Sequence, residues 1–297
     1  MAQQVEVCGT SREPSNERLP SSLRRTTALY QVDLADSRAV AKLIDEVRPD
    51  LIAHLAAQAD VYKSWTNPAE TIVNNIVGEL NILQGVIATG TNPVILIPGS
   101  NEEYGFARPE ELPVRESNPL RPINPYGVSK VAQDMLAYQY FASHKLRCIR
   151  VRPFNHIGPR QSAGFVVSAF AKQIAQIEAG LQEPVVRVGN LAAKRDFTDV
   201  RDVVRAYHLL LLHGEPGEVY NLGSGRSVPI ASILAMLIAL AKVPIATEVD
   251  PERLRPLDLP ETLCDYTKLH ERTGWEPQIP IEQTLADTLN YWREVIG

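Results

Sequence analysis

Cysteine is scarce in this 297-residue chain: Cys8, Cys148 and Cys264 lie far apart and form no CxxC pair. That number and spacing exclude a disulfide framework and a cysteine-built zinc site. Cys148 lies in an apolar run and is expected in the core, and a reducing compartment, the cytoplasm, is expected for the chain. The six histidines show no ligand spacing, so no metal site is expected and His156 is read as structural. Long apolar runs are missing too. Stretches such as 233–241 fall well short of the roughly 20 residues that cross a bilayer. Residues 1–7 lack the charged start and apolar core of a signal peptide. No membrane association is expected. Nor is there an excess of positive charge. Lys and Arg total 30 against 35 Asp and Glu, which offers no general basic surface to a nucleic acid. A local basic pocket for one phosphorylated ligand stays open.

What is present is a rhythm. Short β-branched runs alternate with longer helical patterns, as in a parallel sheet with crossover helices. Strands are expected at 5–8, 50–55, 94–97, 146–151 and 218–221, and helices at 36–47, 67–89, 125–143 and 199–213. Asp36 or Ser37 suits the first N-cap, Gly90 stops the second helix, and Pro125 is tolerated near the start of the third. Three strands end just before Ala56-Ala57, Gly99-Ser100 and Arg152-Pro-Phe-Asn155. Ligands of open α/β sheets bind beyond the carboxyl ends of strands, so all three segments fall where a site belongs. After Asn155 prolines and glycines become frequent, and 159–190 and 251–280 read as parts of a second, smaller lobe.

One further absence bears on function. A dinucleotide fold normally opens with a strand, a glycine-rich turn and a helix whose N-terminus holds the pyrophosphate. None of the 17 glycines forms GxGxxG or GxxGxxG. The first segment, ending in Gly9-Thr-Ser-Arg12, resembles instead the second strand of such a fold, where ribose or a 2′-phosphate is read.

Tyr126-Gly-Val-Ser-Lys130 puts a phenol and an ammonium one helical turn apart on one face. A tyrosine of ordinary pKa, about 10, is a poor acid or base at neutral pH; a nearby ammonium pulls that value down. Only Tyr126 among ten tyrosines has this spacing, although a surface pair without a role has the same signature. Ser100 strengthens the case. It follows a buried strand directly, where a hydroxyl can hydrogen-bond a substrate carbonyl, or simply close a turn.

The order His54-Leu-Ala-Ala57, Asn75-Ile-Val-Gly78, Ser100, Tyr126, Lys130 and Arg152-Pro-Phe-Asn155 resembles the extended short-chain dehydrogenases acting on nucleotide sugars, the NAD-dependent epimerase/dehydratase family. The resemblance runs from about Val5 to the C-terminus. Gly99-Ser-Asn-Glu-Glu-Tyr-Gly105, Phe154-Asn-His-Ile-Gly-Pro159, Gly189-Asn-Leu191, Arg195-Asp-Phe-Thr-Asp-Val-Arg-Asp202 and Asp250-Pro-Glu-Arg-Leu-Arg-Pro-Leu-Asp258 are similar to its GDP-4-dehydro-6-deoxy-D-mannose reductase branch. The fold implied is α/β: a Rossmann-type doubly wound parallel sheet, lacking its first β-α unit, with a smaller α/β substrate lobe. Residues 1–155 would form the dinucleotide-binding domain, with 196–222 returning to it, and 156–195 with 223–297 the nucleotide-sugar lobe.

The resemblance also implies roles. Ser100 and Tyr126 would contact the sugar's C4 oxygen, and Lys130 would bind nicotinamide ribose and lower the Tyr126 pKa. Asp33 and Leu34 would lie by the adenine, and Leu55, Ala56 and Ala57 along the cofactor. Asn75 would support the catalytic helix, and Pro153 and Phe154 would flank nicotinamide. Asn155 would meet the sugar or its phosphate, Asn190 the substrate, and Arg195 and Arg255 its diphosphate, a contact suited to guanidinium; surface salt bridges are the other reading of those arginines. Ser11 and Arg12 suit a 2′-phosphate, which favours NADPH over NADH. Glu102 matches a glutamate that removes a sugar proton in GDP-mannose 4,6-dehydratases, so that activity stays open beside reduction of a GDP-keto-deoxyhexose to GDP-D-rhamnose. A non-catalytic remnant is the third reading, motivated by the missing glycine turn. A homodimer packed partly through the Tyr126 helix is implied as well.

Overall fold

The computed structural model describes residues 5–13, 27–254 and 257–297. Strands β1 (Val7–Ser11) and β2 (Thr27–Gln31) pair in parallel, Val7 opposite Thr27. Helix α1 (Ser37–Val47) begins where its cap dictates: the Asp36 carboxylate accepts from the Arg38 and Ala39 amides, satisfying two N–H groups that a helix start leaves open. Next come β3 (Leu51–Ala53), the short α2 (Val61–Thr66) and α3 (Pro68–Thr89). Asn67 caps α3, and Gly90 ends it at φ 63, the left-handed conformation that glycine adopts without strain. β4 (Val94–Pro98), almost wholly buried, leads through a loop to α4 (Pro125–His144) and β5 (Arg147–Pro153).

The chain continues through β6 (Asn155–Ile157), α5 (Val166–Glu178), β7 (Val185–Val188) and β8 (Lys194–Asp199). It returns by α6 (Val200–His213) and β9 (Val219–Leu222). The rest is β10 (Ser227–Pro229), α7 (Ile230–Ala239), β11 (Ala246–Val249), α8 (Thr267–Thr273) and α9 (Ile281–Ile296).

The central sheet has the order β3-β4-β5-β9, all parallel. The β1-β2 pair is a separate sheet, and among the described residues neither strand is hydrogen-bonded to β3. The two pieces nevertheless share a core. Val40 and Ile44 of α1, with Val32 and Leu34 after β2, pack with Ile82, Leu83 and Val86 of α3 and Ile95 and Ile97 of β4. On the other face Val203, Ala206 and Leu210 of α6 meet Leu96, Ile149, Val151, Tyr220 and the fully buried Trp275. Leu269 of α8 belongs to this same core, although it lies late in the chain. A second core joins α5, α7 and α9 over β7 and β8. Two small sheets, β10-β8-β6 and β11-β7, complete that lobe. Among the described residues no helix is long and apolar enough to cross a membrane.

Candidate active site

The site grows from the carboxyl end of β4. Ser100 (6% exposed) caps a 3₁₀ turn at Asn101–Glu103; its backbone is extended, and its oxygen accepts from the Glu102 amide at 3.2 Å. The first turn of α4 lies directly against this turn. Asn124 holds the two together: its Oδ1 accepts from the Gly127 amide at 2.7 Å, and its Nδ2 donates to Glu102 Oε2 at 2.8 Å. Gly127 permits the approach, since a Cβ there would stand 2.7 Å from the Glu102 carbonyl oxygen. The result brings the buried Tyr126 phenol close enough to Ser100 for the serine to influence its titration.

Lys130, one turn on, donates to the Pro98 carbonyl at 2.8 Å, and its Nζ lies 5.9 Å from the Tyr126 ring centre. Its helix is tied to α3 through Asn75, which donates to Ser129 Oγ at 2.9 Å and to the Gln58 carbonyl and accepts from the Gln58 amide.

Electrostatics depart from the expectation. The spacing predicts a phenol pulled down by its lysine. Burial instead pushes Tyr126 above its ordinary value, the Ser100 hydrogen bond opposes this, and Glu102 and Glu103 add to it. Lys130 is itself lowered to about 8 by burial, against the pull of Glu79 and Glu103. The physical reason is depth: both groups are nearly sealed from water, and burial disfavours the charged form of each.

Glu103 belongs to a network that the sequence did not single out, whereas both oxygens of Glu79 are buried without a hydrogen-bond partner among the described residues. Arg152 donates to Asp134 at 2.9 Å and lies 3.1 Å from Glu103; Arg150 donates to Asp134 at 2.6 Å. Glu79 is 1% exposed, and burial raises its pKa well above the carboxylate range. His54, at the end of β3, lies 3.4 Å from Gln133, and burial, then Lys130, lowers its pKa to about 4. One signal was readable: Arg150 and Arg152 alternate with apolar residues in a buried strand, which demands buried acids.

The other candidates fall as follows. Leu55, Ala56 and Ala57 are exposed beyond β3, with Leu55 at 64%. Asp33 Oδ1 accepts from the Ala35 amide, and the Leu34 carbonyl accepts from Asn81. Ser11 and Arg12 close β1, where Ser11 Oγ accepts from the Glu13 amide. Pro153 is buried, and Phe154, 2% exposed, packs with Tyr104, Val114 and Cys264. Asn155 Oδ1 is buried without a hydrogen-bond partner. Arg195 is committed internally, to Asp258 and the Leu259 carbonyl, and Asn190 donates to the same Asp258 at 3.0 Å. Arg255 lies outside the described residues. Among the described residues no group of three or more potential ligands could hold a metal.

A family model described as GDP-mannose 4,6 dehydratase matches residues 1–288. The chain belongs to this family. Within reach of it, the chain is 38% identical over 263 residues to a GDP-6-deoxy-D-mannose reductase of Pseudomonas aeruginosa, covering 89% of this chain and 86% of that protein. It is 27% identical to a GDP-mannose 4,6-dehydratase of Yersinia enterocolitica, covering 87% of this chain and 77% of that one. Among solved structures, RMD from Pseudomonas aeruginosa complexed with NADPH superposes with TM-score 0.88 at 33% identity, over 98% of this chain and 100% of that chain. A UDP-glucose 4-epimerase of Thermus thermophilus in complex with NAD gives 0.86 at 26% identity, over 98% and 92%. The α/β fold is therefore the Rossmann-type fold of this family, as the alternating pattern predicts.

Proposed function

We propose that the chain reduces the C4 keto group of GDP-4-dehydro-6-deoxy-D-mannose to GDP-D-rhamnose, with NADPH or NADH as reductant. The observation that supports this most is the pairing of the Ser100 and Tyr126 hydroxyls at the carboxyl end of β4. It occurs in a chain 38% identical to a GDP-6-deoxy-D-mannose reductase.

The residues present suit one end of the cofactor better than its middle. Lys130 spends one proton on the Pro98 carbonyl and keeps donors for ribose hydroxyls. The exposed Leu55-Ala-Ala57 segment offers a contact surface beside them, Asp33 and Leu34 suit the adenine end, and Ser11 and Arg12 suit a 2′-phosphate. No glycine-rich turn for the diphosphate occurs among the described residues. When bound, the dinucleotide supplies the hydride. The protein's own part is to hold the keto oxygen and deliver a proton: Ser100 donates a hydrogen bond to the C4 oxygen and Tyr126 protonates it as negative charge builds there. Asn155 brings its unpaired amide oxygen to the sugar side. Asn190, Arg195 and Arg255 are assigned to the substrate's diphosphate end.

The test is direct. Purified protein is mixed with the GDP-keto sugar, and absorbance of the reduced nicotinamide is followed. Oxidation no faster than in Tyr126→Phe sinks the reading. Glu102 favours a second reading, 4,6-dehydration, because its carboxylate is held at the site by Asn124. A dehydratase would convert GDP-mannose without added NADPH. Absence of NADPH and NADH binding by calorimetry would remove both.

A further inference from the structure

Glu103 is fully buried, and a buried carboxylate is costly unless it is paired and hydrogen-bonded. Its two oxygens do different things. Oε1 accepts from the Ser100 amide at 2.7 Å. Oε2 lies 3.1 Å from Arg152 Nε. In return Ser100 Oγ accepts from the Glu102 amide, so the turn is closed from both sides. With its oxygen engaged by that N–H, the serine hydroxyl keeps its proton to give away. The carboxylate also occupies the space beside Gly99, where an added Cβ would overlap Glu103 Oε1 and push the carboxylate aside.

Arg152 is in turn immobilised by Asp134 and by the Tyr104 hydroxyl at 3.0 Å, and Tyr104 donates to Asn221 at 2.6 Å. Hydrogen bonds thus fix Arg152 to α4 and, through Tyr104, to β9. An ion pair without a hydrogen bond, since Glu103 Oε2 accepts none among the described residues, then joins Arg152 to Glu103, whose other oxygen reaches the backbone of Ser100. We infer that Glu103 is a positioning residue: braced by Arg152, it clamps the Ser100 amide so that the Ser100 hydroxyl donates to the oxygen that Tyr126 protonates. The catalytic consequence rests on the reductase reading above; the clamp itself does not.

The test uses the whole chain and two readouts. The first is the Ser100 amide proton, observed by nitrogen-15 NMR and hydrogen exchange. It is expected downfield and protected in the native protein. Glu103→Gln keeps an acceptor and keeps the protection. Glu103→Asp keeps a carboxyl group but withdraws the oxygen, and Glu103→Leu removes it; both lose protection by about tenfold or more. A native Ser100 amide that exchanges like an exposed loop amide overturns the inference, whether or not the protein reduces anything.

The second readout is turnover. Glu103→Leu and Glu103→Asp are expected to lower kcat about 10- to 100-fold with KM within about threefold, and Glu103→Gln to stay within about fivefold of native. In a Ser100→Ala background, Glu103→Leu should cost less than about threefold more. Full additivity, or an active Glu103→Asp beside an inactive Glu103→Gln, overturns the positioning role. If Glu103→Leu does not fold, the Asp and Gln variants carry both readouts. Native protein that binds cofactor but reduces no GDP-keto sugar sinks the reductase reading alone, and the amide then decides the clamp.

Discussion

Gly127→Ala separates two physical effects of opposite sign. Gly127 lies in the first turn of α4, where alanine should stabilise a helix by about 1 kcal/mol. The same methyl would stand 2.7 Å from the Glu102 carbonyl oxygen and 3.0 Å from Pro122 Cβ. Ordinary carbon–oxygen contacts begin near ~3.3 Å, so the overlap is about half an ångström. The obstructing oxygen is backbone, and no side-chain rotation relieves it. The turn bearing Glu102 must retreat from the helix, and overpacking of this kind costs about 1–3 kcal/mol. Net stability should therefore fall by up to about 2 kcal/mol. Activity should suffer more, because the retreat carries Ser100 away from Tyr126. A misplacement of 1 Å costs about 100-fold, and half that displacement about tenfold. Thermal melting and turnover of the GDP-keto sugar, measured on one preparation, check both. A variant more stable than native with native kcat would refute the close approach itself. A destabilised variant with native kcat would refute its link to chemistry.

Arg152→Met should leave the buried Glu103 without its counter-charge and Asp134 with Arg150 alone, at a cost of about 3 kcal/mol and a fall in Tm on the order of 10 °C; a shift under about 2 °C would argue against the network. His54 is held near pKa 4 against an ordinary 6.5. The unfolded chain takes this proton first as pH falls, so stability present above pH 6.5 drains away towards pH 4, about 2 kcal/mol of it by pH 5. Urea midpoints at pH 7 and 5 should diverge less in His54→Asn than in native protein. Lys130, near 8, should impose a falling kcat/KM above that pH, since this ratio reports the free enzyme. Lys130→Arg, which cannot lose its proton, should lack that limb even though its basal rate is lower.

Elements whose signals are local could be read from the sequence. Helices α1 and α3 start and stop at Asp36, Asn67 and Gly90 because those residues satisfy backbone groups within a few positions. Ser100 and Tyr126 were findable for a related reason: each is fixed to the end of a regular element, and the ends of parallel strands converge. β2 was not legible, since its five residues are only half-buried and carry no clear alternation. The Glu103–Arg152–Asp134 network was not legible either, because its members meet only across β4, α4 and β5. Arg195 shows the opposite limit. Its segment points to a phosphate, and its pairing with Asp258, 63 positions along the chain, carries no local signal.

The burial of Tyr126 bears on the direction of the chemistry. A reduction needs a proton donor at its outset, and a phenol raised above its ordinary value stays protonated at neutral pH. The proton then leaves only as charge develops on the C4 oxygen, and stabilisation confined to that moment is what speeds the step. What must be ready is compensation for the phenolate left behind. Lys130 can supply it only while charged, and burial works against that. Glu79 and Glu103, when ionised, oppose the loss of its proton, although burial raises the pKa of both; Arg152, held by Asp134, lies beside Glu103. Acids beside a Tyr–Lys pair thus do not undermine it. Only in their ionised form do they favour the ammonium, and Glu102 and Glu103 then also raise the tyrosine pKa; for proton donation that rise runs in the useful direction.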